Sequence, residues 1–220
     1  MTGPLTLDQV ELTIGGRTIV HRVTLAFEPG EVTVVAGPSG SGKTTLMSIA
    51  GGLVLPTEGV ASYDDRPMWT GDGDPRREVA FILQVYGLVP ILSALENISI
   101  ALRARGVAPH DADERADSEL ERFHIGDLGD RLVEELSGGQ MQRVACARGF
   151  AVDAEIMLAD EPTSELDEGN RELVMAHLRA EAERGAIVVV ATHDPAVVAV
   201  ADRQLTLDEG SVVDRVHAGH

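Results

Sequence analysis

The segment Gly37-Pro38-Ser39-Gly40-Ser41-Gly42-Lys43-Thr44 carries two glycines five positions apart, followed directly by a lysine and a hydroxyl residue. It follows an apolar β-branched run, Val32 to Ala36, and opens a helical pattern, Thr44 to Ala50. That is the strand, loop and helix setting which a phosphate-binding loop requires. Glycines let successive backbone N–H groups turn inward around an anion, and the helix behind them adds its positive end. Lys43 is the single lysine of the chain, beside 17 arginines. A compact ammonium suits the β and γ phosphates of a nucleotide, where the broader guanidinium fits poorly. Downstream, Ile156-Met157-Leu158-Ala159 runs into Asp160 and Glu161, an apolar strand ending in two carboxylates. Asp160 and the Thr44 hydroxyl form an oxygen donor set for Mg²⁺, a hard cation. Glu161 stands where a carboxylate can orient and polarise water for attack on a γ-phosphate. Loop, strand and carboxylates together predict a nucleoside triphosphatase core.

These groups need a scaffold, and hydrophobic periodicity supplies its outline. Leu5, Leu7, Val10, Leu12 and the stretch Ile19 to Phe27 alternate with polar residues, as half-buried antiparallel strands do. Val32 to Ala36, Ile156 to Ala159 and Ile187 to Ala191 are continuous apolar runs, the pattern of central parallel strands covered on both faces. Helical patterns fall at Thr44 to Ala50, Ala94 to Arg105, Ala112 to Phe123, Gln140 to Ala151 and Asn170 to Arg184. Strand and helix alternate, so the class is α/β. Arg203 to Leu207 and Ser211 to Val216 flank Asp208-Glu209-Gly210 and predict a closing hairpin. The acidic stretch Pro109 to Glu121 and the loop Gly71 to Pro75 are expected at the solvated surface. Tyr63 and Trp69 are expected as packing or surface residues of a loop-rich region, and His217 and His220 as a tail.

With 220 residues the chain suits one compact domain. No run approaches the roughly 18 apolar residues that span a bilayer, which leads to the expectation of a cytoplasmic chain. Cys146 is the lone cysteine, which excludes an internal disulfide and a cysteine metal cage and reads as a small core residue. A formal net charge of −18 argues against nucleic-acid binding, which needs a basic face.

Leu136-Ser137-Gly138-Gly139-Gln140 has the S-x-x-Q spacing of a capping box, so a helix starts here with two glycines that permit close approach. Set between the phosphate-binding loop and the Asp160-Glu161 strand, it resembles the signature of ATP-binding-cassette (ABC) ATPases, and the likeness extends along essentially the whole chain. Such a resemblance implies a P-loop NTPase of the ABC ATPase type: a mixed sheet core, an N-terminal antiparallel β subdomain and an inserted helical subdomain. Residues 1–84 and 153–220 would form the ATP-binding core lobe and 85–152 the helical signature lobe. It implies Gln84 as the Q-loop residue sensing Mg²⁺ and the attacking water, Ser164-Glu165-Leu166-Asp167 as the D-loop, and His193, beside Thr192, Asp194 and Pro195, as the switch histidine at the γ-phosphate. ATP contacts would come from Gly37, Pro38, Ser39, Gly40, Ser41, Gly42, Lys43, Thr44 and Thr45, with Ser137, Gly138, Gly139, Gln140 and Asp167 contributing across a dimer seam. Two copies would bind head to tail around two MgATP. They would drive an integral membrane permease from the inner face of the membrane, with Gln84 to Asn97 as the coupling face. The stretches Leu158 to Thr163 and Leu92 to Ile98 are similar to the ATPases of lipoprotein-releasing and macrolide-export systems.

Three positions depart from the family pattern. Ile14 stands where an aromatic side chain usually stacks on adenine, and no aromatic residue precedes Phe27. Leu83 replaces a phenylalanine before the Q-loop glutamine. Glu165 occupies a D-loop position usually held by a small residue, where its charge either slows closure or meets an arginine of the opposite copy. A soluble ABC mechanoprotein is the alternative function. A simple P-loop kinase or nucleotide sensor leaves Ser137 to Gln140 and His193 without a role.

Overall fold

The computed structural model describes residues 3–71 and 74–217. Asp72 and Gly73 of the expected Gly71 to Pro75 loop, and His220 of the expected tail, lie outside the described residues. In chain order the elements are β1 (Leu5–Ile14), β2 (Arg17–Phe27), β3 (Val32–Ala36), α1 (Lys43–Ala50), β4 (Glu58–Tyr63), β5 (Arg66–Pro67) and β6 (Val79–Ile82). There follow α2 (Ala94–Ala104), α3 (Pro109–Arg122), α4 (Gly138–Phe150), β7 (Ile156–Asp160), α5 (Glu168–Glu183), β8 (Ile187–Thr192), α6 (Pro195–Val198), β9 (Arg203–Asp208) and β10 (Ser211–His217).

Two sheets result. One is antiparallel, in the order β2-β1-β4-β5, and the other has the order β10-β9-β3-β8-β7-β6. In the larger sheet all neighbours from β9 to β6 are parallel, and β10 is antiparallel to β9, so it is mixed. The β1–β2 connection turns through Gly15 and Gly16, both in the left-handed region, as a two-residue hairpin between right-twisted strands demands. The hairpin expected at the C terminus is present, and it continues the main sheet instead of closing separately.

Period-two alternation along the buried strands divides the core. Val34, Met157, Ala159, Val188 and Val190 face one cluster, which also holds Ile98, Leu120, Phe123, Phe150 and Leu178 from the helices. Val35, Ile156, Leu158, Val189 and Ala191 face the other, with Leu46 and Ile49 of α1 and the inner face of the antiparallel sheet. A strand buried on both faces cannot show the polar alternation of β1, which is why these runs are uniformly apolar. β4 and β5 lie in the region expected to be loop-rich. Tyr63 ends β4 fully buried, its hydroxyl 2.6 Å from Glu155 Oε2, while Trp69 is half-buried. α3 starts at Pro109 within the acidic stretch. It buries only Ala112, Ala116 and Leu120, a four-residue spacing that keeps one stripe apolar and leaves the carboxylates in water.

α4 carries the predicted capping box: the Gln140 N–H donates to Ser137 Oγ at 3.4 Å, and the Ser137 N–H donates to Gln140 Oε1 at 2.8 Å. Near its other end Gly149 lies against β6, where an added Cβ would come 2.7 Å from Ile82 Cγ1. Gly149→Ala is expected to destabilise the chain by about 1–3 kcal/mol through overpacking. Equilibrium denaturation checks this, and an unchanged midpoint would contradict the packing described.

Candidate nucleotide site

β3, β6, β7 and β8 run parallel and end on the same side of the sheet, where the loops that follow them can meet, the usual place for a ligand in an open α/β sheet. After β3 the chain turns sharply. Gly37 has φ +153°, and a Cβ there would fall 2.1 Å from the Leu207 carbonyl oxygen. Gly42, at φ +101°, is the N-cap of α1, and only glycine adopts both conformations at little cost. The backbone N–H groups of Gly40, Gly42, Lys43 and Thr44 have no partner among the described residues, which leaves them and the end of α1 available to an anion. Lys43 Nζ donates to the carbonyls of Gly37 at 2.8 Å and Pro38 at 3.1 Å, so the ammonium is folded across the same turn. Ser41 Oγ is buried without a partner among the described residues.

Asp160 and Glu161 are 5% and 6% exposed, two adjacent carboxylates shut away from water. Thr44 Oγ1 donates to Asp160 Oδ2 at 2.5 Å. Burial pushes the Asp160 carboxyl above its ordinary range; the Thr44 hydrogen bond opposes this, the Glu161 charge adds to it, and Lys43 offsets part of it. Glu161 is bent away from the strand at φ +49°. Its Oε2 accepts from Thr192 Oγ1 at 3.0 Å, its Oε1 lies 2.7 Å from His193 Nδ1, and its N–H donates to the Ala191 carbonyl at 2.8 Å. Because β7 and β8 pair Asp160 with Ala191, the next residues on each strand come side by side.

A cavity of about 470 Å³ is lined by Pro38, Ser39, Gly40, Gly42, Lys43, Thr44, Thr45, Gln84, Asp160, Glu161 and His193, together with Ile19. Eleven of these twelve residues are among those the sequence pointed to; Ile19 is the addition, brought in because β2 passes close to Gly42. Gly37 contributes its carbonyl to Lys43, and Ser41 lines an adjoining cavity of about 580 Å³ that also includes Arg17 and His21. Ile14 is 61% exposed and lines neither cavity. Ser137, Gly138, Gly139, Gln140 and Asp167 do not line the cavity either. Asp167 instead caps α5, accepting from the Asn170 N–H at 2.9 Å.

Sequence reasoning missed Arg148 of α4. Its guanidinium donates to the carbonyls of Tyr86 at 2.6 Å and Gly87 at 2.5 Å, and so holds the loop that follows Gln84. Buried Asn97 holds the far end of that loop through Val89 and Ser93. Only a helical position facing β6 could have hinted at Arg148, since arginine is common on any soluble helix.

Residues 20–164 match the family described as ABC transporter. This chain belongs to that family. It is 40% identical over 214 residues to an uncharacterized ABC transporter ATP-binding protein of Mycobacterium tuberculosis, covering 93% of this chain and 65% of the relative. It is 35% identical over 215 residues to an Fe(3+) ions import ATP-binding protein of Brucella abortus, covering 97% of this chain and 61% of the relative. The cassette therefore spans less than two thirds of the length of these curated relatives. Among solved structures, the dimeric ATP-binding cassette MJ0796 in a post-hydrolysis state bound to ADP and Pi is similar with a TM-score of 0.91. The identity is 33%, over 98% of this chain and 100% of that one. The fold is thus that of an ATP-binding cassette. Among the described residues no helix is long and apolar enough to cross a membrane.

The cassette's donor set fits a hard divalent cation, since the Thr44 hydroxyl and the Asp160 carboxylate present oxygens 2.5 Å apart at the edge of the cavity. Without a cation, a buried carboxylate beside a second one is destabilising. Asp160→Asn keeps an acceptor for Thr44 and removes that charge, so the nucleotide-free variant is expected to melt a few degrees higher while losing ATP hydrolysis. Scanning calorimetry checks the first half; a lower melting temperature would contradict it.

Proposed function

We propose that the chain binds and hydrolyses ATP as the motor subunit of an ABC transporter, with two copies closing head to tail on two nucleotides. The observation that carries this reading is the division of the predicted residues. The triphosphate-gripping set and Glu161 share one cavity, while the start of α4, with glycines that admit close approach, lies outside it. One copy therefore has half of a site. A facing copy would bring Ser137 to Gln140, with the positive end of α4, onto the γ-phosphate, where a second set of dipoles stabilises charge the first cannot surround.

Within the site, Lys43 and the free N–H groups of the phosphate-binding loop take the β and γ phosphates, and Thr44 with Asp160 holds Mg²⁺. The ion, when bound, offsets charge on the phosphates. Glu161 orients the attacking water. In the free chain its Oε1 is held by His193 and its Oε2 by Thr192. Transfer of the His193 contact to the γ-phosphate leaves Oε1 for water while Thr192 keeps the carboxylate in place, so hydrolytic competence follows from a filled site. Gln84 borders the same cavity and leads into the loop clamped by Arg148 and Asn97.

That loop is the coupling face to an integral membrane permease in this proposal. Val85 and Ile91 are 80% and 77% exposed there, an apolar surface suited to a short permease helix at the inner face of the membrane. Residues 85–152 act as the signature lobe and 1–84 with 153–220 as the core lobe, and the nucleotide brings the lobes of facing copies together.

Glu161→Gln tests the assignment of roles. Phosphate release is expected to fall by roughly a hundredfold or more, the scale of a lost general base, while ATP binding persists and size-exclusion chromatography shows an ATP-dependent dimer. Hydrolysis at the parent rate would overturn the role given to Glu161.

A further inference from the structure

Glu165 lies in the turn between β7 and α5, and its side chain is exposed. Its Oε2 comes within 3.3 Å of the position a Cβ would take on Gly138, the first residue of α4, and its backbone carbonyl oxygen within 2.8 Å of the corresponding position on Gly139. Gly139 thus has a task inside one chain, since a larger residue there would push the backbone of this turn off the helix start, whereas above Gly138 only the tips of side chains are near. The Tyr86 hydroxyl lies 3.5 Å from the same point above Gly138. Three segments therefore meet over the beginning of α4: the loop after Gln84, the turn after Glu161 and the signature glycines.

The charges at this junction have a definite sense. The capping box uses the N–H groups of Ser137 and Gln140, and those of Gly138 and Gly139 have no partner among the described residues. A carboxylate beside them complements the positive end of the helix. Tyr86 is fixed by its backbone, with φ +59° and its carbonyl held by Arg148. Burial raises the Tyr86 phenol above its ordinary range, and the Glu165 charge raises it further, as expected of close neighbours.

We infer that Glu165 is a positioning residue for closure: in the free chain its carboxylate stands over the signature helix start, at the place where the facing copy's triphosphate arrives, and it must swing away before two copies close. This rests on the two-copy reading above. Because Glu165 is exposed, the swing opens no core contact, and its main cost is electrostatic: a negative side chain leaves a positive helix end while a more highly charged anion replaces it. Closure is thereby resisted until nucleotide is bound, and Tyr86 places that resistance beside the loop assigned to the permease.

The test follows the monomer–dimer equilibrium of Glu161→Gln by analytical ultracentrifugation with MgATP, at low and high salt, alone and combined with Glu165→Gln or Glu165→Asp. Glu165→Gln is expected to tighten the dimer by roughly fivefold or more at low salt, with a smaller gain at high salt, as for a unit charge facing a phosphate at a partly solvated site. Glu165→Asp, which keeps the charge, is expected to stay near the parent. An unchanged dimer in Glu165→Gln overturns the inference alone. A weaker one does so in favour of an arginine of the facing copy, and an equal gain in both variants does so in favour of packing. If no chain dimerises at any concentration, the two-copy reading falls and this inference with it.

Discussion

Two neighbouring carboxylates kept out of water at the end of β7 are the constraint around which the rest of the site is arranged. Ionised groups so placed repel one another and lose hydration, so the surrounding chain must offset them or a ligand must. Each has a hydroxyl donor from a different element, Thr44 at the start of α1 for Asp160 and Thr192 at the end of β8 for Glu161. His193 and Lys43 complete the surroundings on either side. The two hydroxyls carry no charge and offset neither carboxylate, so the pair together favours a cation at this end of the sheet.

Sheet order delivers those partners. β7 sits between β8 and β6, and β8 between β3 and β7, so the strand carrying the carboxylates is flanked by the strands leading to His193 and Gln84, with the phosphate-binding loop one strand further on. The β7–β8 register sets Asp160 opposite Ala191, and the chain then bends at Glu161 through a positive φ to meet Thr192 and His193. A slip of one residue would exchange the two faces of β7 and send Leu158 toward the helices and Met157 toward α1. The division of the core into two clusters thus fixes the chemistry as firmly as any polar contact.

Much of this arrangement is legible in the amino-acid sequence. The three buried strands and the capping box at Ser137 stand out because each is dictated locally, by apolar runs or by the three-residue step from Ser137 to Gln140. The order of the chemical motifs along the chain places Lys43, Asp160, Glu161 and His193 in one site. What was not legible depends on distant partners. β4 joins its sheet by pairing with β1, some 50 residues earlier in sequence, and carries β5 at the edge, and the hydroxyl of the buried Tyr63 is met there by Glu155. Arg148 reads as an ordinary helical arginine until α4 packs beside the loop at Tyr86 and Gly87. The closeness of Glu165 to Gly138 likewise arises from the turn that follows the bend at Glu161, and no spacing rule predicts it.

The central claim is that one chain holds the triphosphate and another covers it. Complementation between two disabled chains tests this most directly. Lys43→Ala removes the grip and leaves the signature intact, and Ser137→Arg blocks the signature and leaves the grip. Each alone is expected to be inactive, and their mixture to recover ATP hydrolysis, because a mixed pair contains one site with Lys43 from one chain and Ser137 from the other. A mixture as inactive as its components, although mixed dimers form, would contradict a site shared between two chains.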